Sequence, residues 1–254
     1  MHGSVPPSLD HDDSQHRQPC DGITWRLDPG LQRDQNEDWC GWFLDRECSA
    51  FVVCDGMGGF EHGELASRAA GREFLASIAE ENGAWPDPVR LASRLETCLA
   101  ALQTSTGTTR VGTTLTGLIL HGTSALLLHV GDSRAYLLRD GRIIQLSRDH
   151  TVVDELGLPE KEAVSHPHKH MLTRAVGIPG LELDRRRFHL QPGDRLLMCS
   201  DGFWNAGILR RDLMGMVLST AGSDLLADAL LAEAHRRDAP DNLSILILDV
   251  DGLN

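Results

Sequence analysis

The sequence predicts an α+β fold in which antiparallel sheets pack against helices, and three observations carry that expectation. Apolar runs of strand length recur along the chain. Several are joined by tight turn signals, which force neighbouring strands to run antiparallel. Helical stripes fall between blocks of strands, and not after every strand as a doubly wound parallel sheet would require.

Taken in order, the strand-like runs are Phe51 to Cys54, Thr113 to Leu120, Ala125 to Val130, Ala135 to Leu138, Arg142 to Leu146, Arg195 to Cys199 and Leu243 to Val250, with another expected after Glu37-Asp38. His121-Gly122 and Asp140-Gly141 read as hairpin turns. From Gly63 to Glu81, the residues Leu65, Ala66, Ala69, Ala70, Phe74, Leu75 and Ile78 recur at helical spacing. Further stripes run through Ala92, Leu95, Leu99 and Leu102, and through Leu225, Leu226, Ala229, Leu230 and Glu233. Additional helices are expected after Asn205.

The chain has 254 residues, enough for one sizeable core, and no repeats or low-complexity linkers divide it after Gly22. Residues 1–21, rich in Asp, His, Pro and Ser, read as a disordered leader or cloning remnant, and 22–254 as a single domain. With 24 Lys and Arg against 37 Asp and Glu, the formal charge is -13. That excess repels nucleic acid and attracts cations. The six cysteines lack metal-ligand spacing, which points to reduced, cytoplasmic usage. No window approaches the ~18 apolar residues of a membrane span, so no membrane attachment is expected.

The stretch VVCDGMGGFEHGELAS, Val52 to Ser67, ends an apolar run on Asp55 and passes through glycines into a helix. The glycines do not fit G-x-G-x-x-G, and no G-K-[ST] follows. A phosphate cradle, a metal-facing bend and an incidental turn all remain open on this stretch alone. The same arrangement recurs, however. Asp201 ends LLMCSDG, Asp132 ends LLLHVGDSR, Asp241 opens DNLSILILDV, and Glu37-Asp38 precede a strand. If those strands are neighbours, their ends gather carboxylates that cannot all stay ionised without cations between them. An all-oxygen set suits Mg²⁺ or Mn²⁺ over Zn²⁺.

RDQNEDW, VVCDGMGGFEHGELAS, VGTTLTG, HVGDSRAYLLRDG, HMLTRAVG, LLMCSDGFWN and APDNLSILI, in this order, resemble the motif series of the metal-dependent protein phosphatases, the protein phosphatase type 2C family, in its bacterial form. The resemblance covers about Gly22 to Val250. It implies a four-layer αββα sandwich of two antiparallel sheets flanked by helices. It also implies hydrolysis of phosphoserine and phosphothreonine in proteins by a water bridging two Mn²⁺ or Mg²⁺ ions, opposing a cytosolic serine/threonine kinase.

Carried over by motif, Asp55 would bridge the ions and the Gly56 carbonyl would bind the second; Asp201 and Asp241 would bind the first. Asp38, with Glu37 beside it, matches the acidic position serving the second ion, and Asp132 a third, weaker site. Arg33 matches the clamp on the substrate phosphate, while Ser200 and Asn242 look like supports behind the ligands. On this reading glycine's freedom at Gly56, Gly58 and Gly59 shapes a metal site.

Two positions depart from the family's pattern. Met57 stands where eukaryotic members have a general-acid histidine, and Phe60 where bacterial members often have histidine; His62 is a substitute acid or a helix cap. Asp149 to Gly177 matches the flap beside the active site, shortened by a few residues, and its His166, His168 and His170 alternate as if on one strand face. Trp25, Trp39, Trp42 and Trp204 read as core or cleft walls. A monomer is expected. A binding-only relative would have lost ligands that are present here, whereas a small-molecule phosphohydrolase would keep them.

Overall fold

The computed structural model describes residues 22–57, 62–108, 111–159, 162 and 165–252. The expected leader over residues 1–21, together with Gly58, Gly59 and Phe60, lies outside them.

The strands are β1 (Ile23–Asp28), β2 (Asp38–Leu44), β3 (Ser49–Asp55), β4 (Leu115–His121), β5 (Ser124–Val130), β6 (Arg134–Arg139), β7 (Arg142–Gln145), β8 (Asp184–His189), β9 (Arg195–Cys199) and β10 (Leu243–Asp249). The helices are α1 (Gly63–Glu80), α2 (Pro88–Thr106), α3 (Val152–Glu155), α4 (Gly202–Asn205), α5 (Arg210–Ser219) and α6 (Ser223–Arg236). One sheet runs β1-β10-β9-β6-β7 and the other β2-β3-β4-β5-β8, with every neighbouring pair antiparallel.

Three apolar layers hold these elements together. Ala50, Val52 and Cys54 of β3 face Phe74, Leu75 and Ile78 of α1 and Leu95 and Leu99 of α2. Phe51 and Val53, the alternate residues, face the other sheet, where they meet Leu137, Leu196, Met198 and Leu246. On the far side, Leu197, Ile245 and Ile247 pack against Leu226 and Leu230 of α6. This is the expected helix–sheet–sheet–helix sandwich. It also explains why the strands read as unbroken apolar runs, since both faces of each central strand are covered.

Local chemistry fixes the element ends. At the start of α2 the Asp87 carboxylate accepts the Val89 N–H at 3.0 Å and Pro88 takes the first helical position, while Gly107 closes the helix at φ +75°. Asp140 and Gly141 both have positive φ, the backbone of a tight I′ hairpin. The other hairpin is shifted by one residue from expectation: His121 pairs with Ser124, so the turn is Gly122-Thr123, with Gly122 at φ +55°.

β1 and β8 carry no strong apolar pattern and were not expected as strands. β8 reads DRRRFH and lies at a sheet edge with its middle exposed. The buried face of α6 is Ser223, Leu226, Ala227, Leu230 and Ala234, which leaves Leu225 exposed and corrects the expected stripe. No described helix is long and apolar enough to cross a membrane.

Candidate active site

The acidic residues lie at one end of the two sheets because of register. Asp38 opens β2 and Asp55 closes β3, and the two are paired directly across the ladder. Asp132 follows β5, Asp201 follows β9, and Asp241 lies two residues before β10, the strand paired with β9. A cleft of about 510 Å³ opens there, with Arg33, Asp55, Gly56, Asp132, Asp201 and Asp241 in its wall. The structure therefore brings six of the expected residues to one cavity. Asp38 sits beneath it, 6% exposed.

Asp55 is held by its backbone. Its N–H donates to Thr114 Oγ1 at 3.0 Å, and its carbonyl accepts the Thr114 N–H at 2.9 Å and the Thr113 hydroxyl at 2.9 Å. The Asp201 N–H lies 3.4 Å from Asp55 Oδ2. Behind them, Ser200 Oγ accepts the Ser244 N–H at 2.9 Å and so fastens β9 to β10 next to Asp201.

Asn242 performs a similar task for the Arg33 loop. Its Oδ1 accepts the Glu37 N–H at 2.8 Å, and its Nδ2 donates to the carbonyls of Pro29 and Gln35 at 3.0 and 2.9 Å. Arg33 projects from that loop and grips Asp241 at 2.9 Å. Glu37 stands aside from the cleft wall, with its carboxylate packed over Gly63.

Gly56 is required for a different reason from the one expected. Its φ is not positive; instead, a Cβ there would lie 2.5 Å from the Gly63 carbonyl oxygen and 2.7 Å from that of Glu37. Three backbones meet at this point. Gly56→Ala is expected to destabilise the protein by about 1–3 kcal/mol, as overpacking does. A denaturant midpoint equal to that of the native chain would refute this.

Burial and crowding make the carboxylates reluctant acids. Asp38 is pushed up to about 7, first by burial and then by the charges of Asp201 and Asp241. The Ser200 and Ser244 hydroxyls pull the other way, yet neither closes a hydrogen bond of good geometry. Both Asp38 carboxylate oxygens are buried without a partner among the described residues. Asp55 and Asp132 lie well above the usual carboxylate range, through burial and then their acidic neighbours, and Asp241 is raised for the same reasons. Burial also raises Glu37, against the pull of Arg33.

The side chains do not yet form a coordination cage: among the described residues, no three His, Cys, Asp or Glu groups meet in metal-ligand geometry. Asp201 Oδ2 instead accepts from Asn205 Nδ2 at 2.8 Å, and Asp241 is held by Arg33.

Asn205, Thr114 and Lys169 also line the cleft and were not expected, and His170 joins them from the flap. Asn205 was readable, because it stands four residues after Asp201 on α4, the spacing at which side chains meet. His170 Nδ1 lies 3.8 Å from Asp201 Oδ2. The three flap histidines do not share a strand face, since their segment consists of turns; the His166 and His168 rings lie 5.6 Å apart and only His170 reaches the cleft.

His62 precedes α1 at φ +61° but makes no side-chain capping bond, and it is not part of the cleft wall. Trp39 and Trp42 are buried in the core, with Trp25 beside Trp42. Trp204 supports Arg134 at 4.0 Å.

The model of the family described as Protein phosphatase 2C matches residues 32–234. The chain is 32% identical over 241 residues to the serine/threonine phosphatase stp of Listeria monocytogenes, covering 89% of this chain and 95% of that protein. Among solved structures, the serine/threonine phosphatase of S. agalactiae is similar at a TM-score of 0.78 and 29% identity, over 89% of this chain and 97% of that one. The catalytic domain of the serine/threonine protein phosphatase PstP, solved with 2 manganese ions, is similar at a TM-score of 0.72 and 28% identity, over 89% and 96% of the two chains.

Proposed function

We propose, because this chain belongs to the protein phosphatase 2C family, that its acidic cleft is where a serine/threonine protein phosphatase hydrolyses phosphoserine and phosphothreonine, completed by two Mn²⁺ or Mg²⁺ ions. The carrying observation is Asp38: a buried carboxylate with two unpartnered oxygens, paired in register with Asp55, is a costly arrangement in a protein with no cation to neutralise it. The donors are all oxygens, as hard dications prefer. The manganese in the related PstP structure supports the same reading. Bound there, such ions supply Lewis acidity towards phosphoryl oxygens and water.

Under this proposal Asp55 would help to hold both ions, Asp201 and Asp241 would hold the first, the Gly56 carbonyl and Asp38 with Glu37 the second, and Asp132 a weaker third. The chain's remaining work is positioning. Arg33 takes two phosphate oxygens in its planar fork, exchanging Asp241 for substrate. Asn205 aims Asp201, and Asn242 sets the Arg33 loop. Met57 has no proton to give, and His170, not His62, is the histidine in the cleft wall. The five described cysteines are free, which supports a reducing cytosol in which a serine/threonine kinase would be the opposing activity.

The test is phosphate release from a phosphothreonine peptide with Mn²⁺, with and without EDTA. Manganese-dependent turnover that EDTA abolishes is expected; turnover indifferent to EDTA would overturn the metal reading. Asn242→Ala is expected to lower kcat/KM by about 10–100-fold, the usual cost of losing a group that orients a metal site. An unchanged rate would remove Asn242 from that role.

A further inference from the structure

β8 is the terminal strand of its sheet and is laddered only to β5. Apart from that ladder, no backbone group of residues 184–188 finds a backbone partner among the described residues. Its sequence places Arg185, Arg186 and Arg187 in a row, all exposed, on a chain whose net charge is -13.

These arginines differ from their neighbours. Arg134, Arg139, Arg148, Arg174 and Arg195 each pair with an aspartate. Arg186 turns towards the other sheet and donates to the carbonyls of Gln145 and Leu146 at 3.3 and 3.2 Å. Arg185 and Arg187, two residues apart, share the opposite face. Arg187 rests 5.3 Å from the centre of the Trp85 ring. Neither makes an ion pair with a carboxylate among the described residues.

The strand also leads to the active site. His129 and Asp184 are paired across β5 and β8, and Asp184 Oδ2 meets His150 Nε2 at 3.1 Å. The other ring nitrogen of His150 accepts the Gly131 N–H at 3.0 Å, next to Asp132. A chain laid along β8 would thus run towards the cleft.

We propose that the free edge of β8 docks an acidic, extended segment of the phosphoprotein substrate by strand addition, with Arg185 and Arg187 meeting its carboxylates. This rests on the phosphatase reading above. Backbone hydrogen bonds provide the affinity in this mode, and side chains alternating along the strand provide the selectivity. Charge complementarity selects an acidic segment from a surface that otherwise repels one. Arginines on a sheet edge also discourage indiscriminate pairing, and that role alone would give no preference for acidic substrates.

The test uses the native chain and the double variant R185E/R187E with Mn²⁺ and three phosphothreonine peptides. One is a short core, one adds an extended acidic tail, and the third carries that tail N-methylated at alternate backbone amides. At low salt the acidic tail is expected to lower KM by about tenfold with kcat unchanged. That gain should vanish in the variant and with the methylated tail, while the short core is turned over equally by both proteins. A tail that gives no gain, or a gain that survives either the charge reversal or the methylation, would overturn the proposal. If no peptide is hydrolysed, the phosphatase reading fails first, and fluorescence anisotropy of the unphosphorylated acidic tail decides the docking by itself: binding lost in R185E/R187E supports it, and equal or absent binding overturns it. Single-stranded RNA bound at these arginines in place of the acidic tail would also overturn it.

Discussion

Asp201→Asn is expected to reduce phosphothreonine-peptide turnover by more than about 100-fold, because on the proposed reading it removes a ligand and not merely a group that orients one. The change is nearly isosteric, and the remaining side-chain oxygen can still accept from Asn205, so the fold should persist. Calorimetric Mn²⁺ titration should show weakened binding, while far-UV circular dichroism and the thermal midpoint in EDTA stay close to those of the native chain. Native turnover in this variant would sink the assignment of Asp201.

Asp38→Asn should separate activity from stability. Turnover should fall, but the EDTA-treated protein should become more stable above neutral pH, by about 2 kcal/mol, since a buried, unpartnered carboxylate is replaced by a neutral amide. Asp38 is near 7 in the folded chain against an ordinary value of 3.8. The folded state therefore keeps a proton that the unfolded state has released, and its contribution is complete below about pH 4 and lost as pH rises through about 7. Guanidinium midpoints in EDTA should accordingly fall between pH 5 and pH 8 for the native chain and fall less for the variant. Saturating Mn²⁺ should restore the native protein at pH 8, because binding to the folded state alone stabilises it. A variant less stable than the native chain at pH 8 in EDTA would refute this account of the acidic cluster.

The carboxylates were legible because each ends or opens an apolar run, and strands that neighbour one another bring their ends together. Arg33 was readable only through family resemblance, since nothing in RDQ marks an arginine as facing a cleft. Thr114, and the approach of the flap residue His170 to Asp201, were missed for the same physical reason: these relations to Asp55 and Asp201 arise from tertiary approach across 59 and 31 positions of sequence, respectively, and leave no local pattern. β8 was missed because an edge strand with an exposed middle has no apolar period to display. In the Gly122-Thr123 turn, the register of the flanking strands decided between two glycine-containing dipeptides that looked equally apt.

The position of β10 has a bearing on how this protein comes into being. It is the last of the described strands, yet it lies between β1, the first of them, and β9. One sheet supplies Asp38 and Asp55 early, whereas Asp201 and Asp241 arrive with the other, and Asp241 is held beside Arg33 only when β10 has slotted into place. A ribosome that has not yet released this segment carries a chain with an open seam and half a site. Catalytic competence thus waits on the synthesis and insertion of β10, and fragments truncated before residue 241 should be inert towards phosphoproteins however well their first sheet has folded.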